Sequence, residues 1–344
     1  MAVTSFDVAR LAGVSQPTVS RALRGEASVA PATRRRVEKA AAELGYVTSQ
    51  LGRGLATRTT HRIGIVAAEL TNPFYAHLVE PLRDEFERAG YRSVLFVDRD
   101  DDARTANELA DGSLDGVVLA TSRVDSTVPG SLGERGVPFV LLNREVDEVL
   151  ADAAVVDNVG GAALLADLLV DLGHQRIGAV LGPDWTSTGR DRERGLRRAL
   201  AAHGCALAER STMRVPFGFD EGGQAVHALM SQEEPPTALF CANDVLALGV
   251  LDGATRLGVR VPDDLTVVGF DDITLASWAR FDLTTVRCDL ARLAAVAVDL
   301  LLKRIADGRA YHHRVVLPAE LVLRGSHAAP AHRPRDGSRP GPRS

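Results

Sequence analysis

The chain has 344 residues, 45% of them hydrophobic and 25% charged, with a formal net charge of −5. That is more chain than one core usually organises, so about two domains plus appendages are expected. No apolar run reaches the ~18 residues a membrane helix needs, MAVTSFDVAR lacks the apolar centre of a signal peptide, and Cys205, Cys241 and Cys288 lie far apart with no metal-like spacing.

The charge is polarised along the chain. Residues 1–62 hold ten arginines and lysines against four acids, a net of +6, which leaves −11 for the remainder. A basic head on an acidic body points to one end that meets a polyanion. Three short helical patterns fill that head. Thr4 or Ser5 caps the first, which runs to about Ala12 with Asp7 completing a T-x-x-D pattern, and Gly13 stops it. Ser15 caps the second, QPTVSRAL, where Pro17 falls in the first turn and costs no hydrogen bond. The third starts at Pro31 behind the poor cap Ala30 and ends at Gly45. Two helices joined by a short turn and followed by a third form a helix-turn-helix layout.

After Arg62 the rhythm changes to short apolar runs alternating with amphipathic segments. The runs are 63–67, 93–97, 115–120, 137–142 and 153–157, then 176–182, 237–242 and 265–270. Helices are expected near Ala76–Ala89, Gly160–Leu172, Arg190–His203, Glu221–Met230 and Val245–Leu257. Continuous apolar strands with helical crossovers mean a parallel sheet buried on both faces. The fold class is therefore α/β, two doubly wound lobes behind a helical head, with ligands expected at the carboxyl ends of the strands. From Ala328 the Pro/Gly/Ser/Arg-rich AAPAHRPRDGSRPGPRS reads as a disordered tail.

The stretch TSFDVARLAGVSQPTVSRALRG resembles the lac/galactose repressor family. The resemblance continues in order through TRRRVEKAAAELGY, SQLGRGLATRTTHRIGIV, LTNPFY, LGHQRIGAVLGP, FCANDVLALGVL, VPDDLTVVGFDD, LTTVR and LVLRGS. It implies a head at 1–47, a hinge helix at 48–61, and a two-lobed body at 62–327 like the periplasmic binding proteins. Its first lobe would span 62–157 and 288–315, its second 158–287 and 316–327, with the tail at 328–344. The implied function is a ligand-controlled transcriptional regulator, a repressor, with no cofactor. Its implied partners are pseudo-palindromic operator DNA, a sugar or related effector (a nucleoside stands behind it) and a second copy of the chain. Trp278 and Phe281 fall where family dimers meet. No leucine heptads follow Ser326, which favours a dimer over a tetramer.

By the same resemblance Gln16 and Pro17 select the operator sequence, Arg21 is placed to reach guanine, and Arg24 lies just beyond. Thr4, Ser15, Thr18, Ser20, Thr33 and Tyr46 look like phosphate-positioning residues. Leu55, with Arg53 beside it, holds the position of a leucine that wedges into the minor groove. Gly52 and Gly54 depart from the family pattern there, each costing a helix ~1 kcal/mol relative to alanine. In the body the expected effector contacts are Asn72, Phe74, Tyr75, Asn143, Arg144, Asp157, Thr188, Arg192, Phe219, Asn243 and Asp271. Arg192, Asn243 and Asp271 lead that set. Asp157 is equally well a structural turn residue, and Asp244 and Asp272 are expected to cap helices and brace loops. The register of Phe219 is open because the loop VPFGFDEGG is short.

Phosphate-loop, nucleophile-elbow and dinucleotide fingerprints are absent from the sequence, so catalysis is not expected. Two other readings stand beside the regulator. A solute-binding protein of the same fold predicts a signal peptide and no head. A ligand-independent architectural DNA binder makes Arg192 dispensable.

Overall fold

The structure is a computed structural model that describes residues 3–23, 25–46, 59–97, 103–308 and 311–330. It comprises two units, residues 1–60 and 61–344. Among the described residues the first is a head of three helices, α1 (Ser5–Ala12), α2 (Gln16–Leu23) and α3 (Pro31–Glu43). Thr4 precedes α1 in extended conformation, and both its backbone N–H (3.0 Å) and its hydroxyl (2.7 Å) donate to the Asp7 carboxylate. These bonds hold the Asp7 carboxyl below its ordinary range. Gly13 ends α1 with φ +62°, a left-handed turn that glycine adopts without steric cost. Arg36 reaches back from α3 to donate to the carbonyls of Ala12 (2.7 Å) and Gly13 (3.3 Å), satisfying the orphan end of α1. Val8, Val19, Ala22, Val37 and Ala40 close the small core.

The second unit holds a six-stranded and a four-stranded parallel sheet. The first takes strands β1 (Arg62–Val66), β2 (Arg92–Phe96), β3 (Gly116–Leu119), β4 (Phe139–Leu142), β5 (Asp152–Val156) and β11 (Arg314–Leu317), in the order β11-β5-β4-β3-β1-β2. Alternate residues bury on opposite faces. Val118 faces the core that includes Leu78 and Leu82 of α4 (Pro73–Arg88), whereas Val117 and Leu119 face one built with Leu109 and Leu132. Those two leucines come from short helices, α5 (Ala103–Leu109) and α6 (Val128–Glu134), which hydrophobic periodicity did not reveal. The long apolar helix α11 (Leu290–Asp307) packs against α4 and against β3, β4 and β5. Among the described residues no helix is long and apolar enough to cross a membrane.

The other sheet, β7-β6-β8-β9, uses β6 (Ile177–Leu181), β7 (Thr212–Arg214), β8 (Ala238–Cys241) and β9 (Thr266–Val268). Helices α7 (Asn158–Asp171) and α8 (Ser187–Ala202) pack together, as do α9 (Phe219–Met230) and α10 (Asp244–Arg256). Three of the anticipated helices begin two or three residues early, and a fourth one residue early, because cap residues set their starts. Asn72, Asp157 and Thr186 accept from the N–H groups of Phe74, Gly160 and Gly189, and Asn243 accepts from that of Leu246. A two-stranded antiparallel pair, β10 (Thr285–Arg287) with β12 (Glu320–Val322), forms where the chain passes between the lobes.

Two boundaries differ from the sequence reading. The first lobe extends to Leu317 rather than 315, because β11 pairs with β5 through Leu317 and Val156. The chain is also pinned at Ala328, where a tail was expected to begin: its carbonyl accepts from His174 (2.9 Å) and from the Thr266 hydroxyl (2.9 Å). Arg24, the hinge with Arg53 and Leu55, and residues 331–344 lie outside the described residues.

Candidate functional site

In the six-stranded sheet the order reverses between β1 and β3, and in the four-stranded one between β6 and β8. Crevices at such switch points open at the carboxyl ends of the strands. Glu69 and Asn72 follow β1, Thr121 follows β3, and Asn143 and Arg144 follow β4. From the other lobe come Trp185 after β6, Phe217 after β7, Asn243 after β8 and Asp271 after β9. Glu69 (φ +56°), Asn143 (φ +66°) and Asp271 (φ +114°) hold left-handed backbone, a strain that gathers at sites where geometry serves function.

Two buried arginines organise these loops. Arg192, 4% exposed on α8, donates Nε–H to Asn158 (2.9 Å), Nη1–H to the Ala242 carbonyl (2.7 Å) and Nη2–H to Asp271 (2.7 Å). Its guanidinium lies 3.8 Å from the centroid of the Phe270 ring. Gly195, one turn on, lets α8 approach this closely, since a Cβ there would strike the Val159 carbonyl of α7. That is the physical content of the R-x-x-G spacing.

Arg144, 2% exposed, donates to the Thr121 carbonyl (3.2 Å) and stands 3.7 Å from Glu69. Its guanidinium faces three aromatic rings, Tyr75 (5.9 Å), Trp185 (5.9 Å) and Phe217 (6.0 Å). Burial pushes the Tyr75 hydroxyl up to about 12, and the charges that act on it are those of Arg144, Glu69, Asp271 and Arg192. Tyr75 thus feels the charges of both arginine clusters. Burial also raises the Asp271 carboxyl against the pull of Arg192, and it raises Asp244 well above the carboxylate range, with Asp271 adding to the effect.

The lobes touch around this site. Glu145 N–H donates to the Ser187 hydroxyl (2.8 Å) and Val124 N–H to the Trp185 carbonyl (2.9 Å). Arg190 grips both oxygens of Asp147 at 2.8 and 2.7 Å. His77 and Thr274 meet at 3.3 Å.

The expected residues divide accordingly. Phe74, Tyr75, Asn143, Arg144, Thr188, Arg192, Asn243 and Asp271 are all buried on the strand-end loops or the first two helical turns after them. Asn72, Asp157 and Asn243 spend a side-chain oxygen capping helices. Phe219 is a correction. It opens α9, is 40% exposed, and borders an outer hollow with His227 and Asp252; Phe217, two residues earlier, faces Arg144. The repeat F-G-F makes the two indistinguishable until the start of α9 fixes the register. Asp244 braces loops, accepting from Ile273 N–H (2.9 Å) and the Thr285 hydroxyl (2.5 Å), and Asp272 does so through Arg287 and Arg324. Glu69, Thr121, Asn158 and Trp185 were not anticipated. Of these only Trp185, a tryptophan in a polar loop, carries a signal in the sequence.

In the head, Pro17 and Arg21 of α2 are exposed, with Gln16, Thr18 and Ser20 partly so, while Val19 and Ala22 face the core. Gln16 donates its amide to the Ser5 hydroxyl (3.3 Å), and the Ser15 and Thr18 hydroxyls bond at 2.8 Å. Thr33 and Tyr46 are half-buried, Tyr46 against the core. The head's positive charge is not all surface charge for a partner, since Arg34 and Arg36 are engaged in holding carbonyls.

Residues 6–49 match the family described as bacterial regulatory proteins, lacI family, and residues 166–327 match the periplasmic binding protein-like domain. The transcriptional regulator CelR of Thermobifida fusca is 34% identical over 328 residues, spanning 93% of this chain and 96% of its own. The chain belongs to the LacI family. Among other LacI-family relatives, the repressor CytR of Escherichia coli K12 is 32% identical over 94% of this chain and 96% of its own. A lac repressor dimer bound to operator and the anti-inducer ONPF superposes with a TM-score of 0.84, at 28% identity over 96% of this chain and all of that one. A CelR–cellobiose complex superposes at 0.73, with 33% identity over 94% of this chain and 99% of that one. This LacI-family chain therefore joins a DNA-reading head to a two-lobed α/β body, as the sequence resemblance implied.

Proposed function

We propose that this LacI-family protein is a cytoplasmic, non-catalytic repressor that binds a pseudo-palindromic operator as a homodimer and responds to a small polyhydroxylated ligand, a sugar or a close derivative. One observation carries the ligand side of that reading: Arg192, Asp271, Arg144 and three aromatic rings converge from both lobes onto strand-end loops. Aromatic faces beside a few oriented polar groups suit a sugar ring, and the CelR relative is described with cellobiose bound. On the DNA side, Pro17 and Arg21 stand exposed on α2. By the resemblance, Leu55 and Arg53 serve the hinge, and Trp278, 55% exposed, with Phe281 serves the dimer. Ligand and operator are linked because each favours one arrangement of the two lobes.

The test takes the full-length protein. An operator is selected from random duplex DNA, and its affinity is measured with and without each sugar that raises the melting temperature. A ligand at about 100 times its Kd adds roughly 2.7 kcal/mol, several degrees for a protein of this size. A sugar-dependent change in operator affinity that Arg192→Ala abolishes supports the proposal. Operator binding that no sugar changes, in wild type and variant alike, replaces it with an architectural role.

A further inference from the structure

Arg144 is unlike Arg192 in one respect. Arg192 has a protein partner for each of its three nitrogens, whereas the Nε of Arg144, buried within a side chain 2% exposed, has no hydrogen-bond partner. The facing Glu69 Oε2 is likewise buried without one, and it lies 3.7 Å from Arg144, beyond hydrogen-bond reach. Buried polar atoms left open in this way cost free energy unless something else completes them. The two atoms are complementary: one only donates, the other only accepts.

The charges set a second condition. Arg192 is offset by Asp271 at 2.7 Å and Arg144 by Glu69 at 3.7 Å, so the two pairs sum to zero. An anionic ligand would bring an uncompensated charge beside two carboxylates, which is unfavourable. A ring with hydroxyl groups meets both conditions, because one of its oxygens accepts and another donates.

Resting on the ligand-responsive reading above, we infer that Arg144 and Glu69 are a specificity pair for an uncharged, ring-shaped polyol, and that they exclude its phosphorylated or carboxylated counterparts. Arg144 Nε–H donates to one ligand oxygen, and the Glu69 carboxylate accepts from a hydroxyl of the same ring. Tyr75, Trp185 and Phe217 present their rings to its C–H faces. The pair selects ligands by charge as well as by shape.

The experiment is a titration of full-length wild type, Glu69→Gln, Arg144→Gln and Arg192→Ala with glucose, ribose, cellobiose and adenosine. The charged counterparts glucose 6-phosphate, ribose 5-phosphate, cellobionate and AMP are titrated beside them. Glu69→Gln is nearly isosteric at a partly exposed position, so it stays informative even where Arg144→Gln folds poorly. The expected result is that a neutral probe binds wild type, that Glu69→Gln weakens it by roughly tenfold, and that Glu69→Gln improves binding of the matching anion. Whether a free sugar or adenosine is the neutral binder separates the two sources of such a ring, and either supports the pair. An anion that binds wild type at least as tightly as its neutral counterpart overturns the inference. So does undiminished neutral binding in both Glu69→Gln and Arg144→Gln, and if Arg192→Ala alone loses binding the ligand-responsive reading survives. Wild type that binds none of the probes removes both.

Discussion

Single side chains in this body carry more than their position in the sequence announces. Asp244 is fully buried, and its carboxyl is raised well above the usual range by burial and by Asp271. It accepts from Ile273 N–H and the Thr285 hydroxyl, and Gly269 leaves room for it, since a Cβ there would meet Oδ1. An asparagine oriented with Oδ1 toward Ile273 keeps both bonds, because the Thr285 hydroxyl can accept as well as donate. The folded state holds the Asp244 proton more tightly than the unfolded chain does. The stability this gives is therefore present at low pH and is lost as pH rises through the raised value. Asp244→Asn escapes that loss, and its melting temperature should equal or exceed wild type at pH 8, with a smaller margin at pH 5. Asp244→Ala strands both donors and should cost on the order of 2–4 kcal/mol. His174 has the opposite sign. Burial lowers the pKa of its ring, which sits between the Thr237 hydroxyl (2.9 Å) and the Ala328 carbonyl (2.9 Å). The stability due to neutral His174 is present above its ordinary value near 6.5 and declines as pH falls toward the lowered one. Melting temperatures between pH 8 and pH 5 should fall less steeply for His174→Gln than for wild type; parallel curves would sink this.

At the scale of elements, glycines decide how closely helices approach. Along α10 a Cβ at Gly249 would strike the Phe219 carbonyl, and one at Gly222 of α9 the Leu246 carbonyl, so the two helices meet backbone to backbone. In a free helix Gly→Ala gains ~1 kcal/mol. Here a main-chain carbonyl cannot step aside, and overpacking costs about 1–3 kcal/mol or more. Gly249→Ala should destabilise the body, whereas Gly223→Ala, whose Cβ would sit 3.5 Å from the Gly249 carbonyl, should be neutral or stabilising. Urea denaturation of the pair checks the sign. The same scale explains what could be read in advance. The inner strands of both sheets were legible because burial on both faces leaves an unbroken apolar run, as in Gly116–Leu119, whereas the edge strands β7 and β11, only partly buried, were not among the expected runs. The two-residue precision of a helix start was not. It depends on an amide or carboxylate such as Asn72 or Asp157 choosing a cap over a ligand, and composition does not record that choice. Arg192 and Asp271 were legible through the R-x-x-G and G-F-D-D patterns. Glu69 and Phe217 were not, because each is placed by a turn, one with φ +56° and one before α9, that shifts a side chain without changing any pattern.

At the scale of the whole body, contacts that close the lobes differ in weight. Arg190 and Asp147 make the shortest of them, yet their side chains are 36% and 52% exposed, and an exposed ion pair contributes at most about 1 kcal/mol. The Ser187 hydroxyl, 3% exposed, is the acceptor for Glu145 N–H, a part-buried bond that joins the two lobes. Removing the acceptor leaves a part-buried N–H without its partner, a cost of about 1–3 kcal/mol that falls on the closed arrangement alone. Ser187→Ala should therefore raise the open fraction roughly five- to hundredfold, and Asp147→Ala by less than about fivefold. Hydrogen exchange at the Glu145 amide measures this without any ligand. Exchange should quicken in Ser187→Ala, stay near wild type in Asp147→Ala, and slow again when a bound ligand restores closure. Linkage then fixes a further sign. Because ligand and operator act through the same equilibrium, Ser187→Ala must shift operator affinity in the direction opposite to the ligand's effect. A variant whose Glu145 amide exchanges faster while its operator affinity moves with the ligand's effect would break the link between lobe closure and DNA binding.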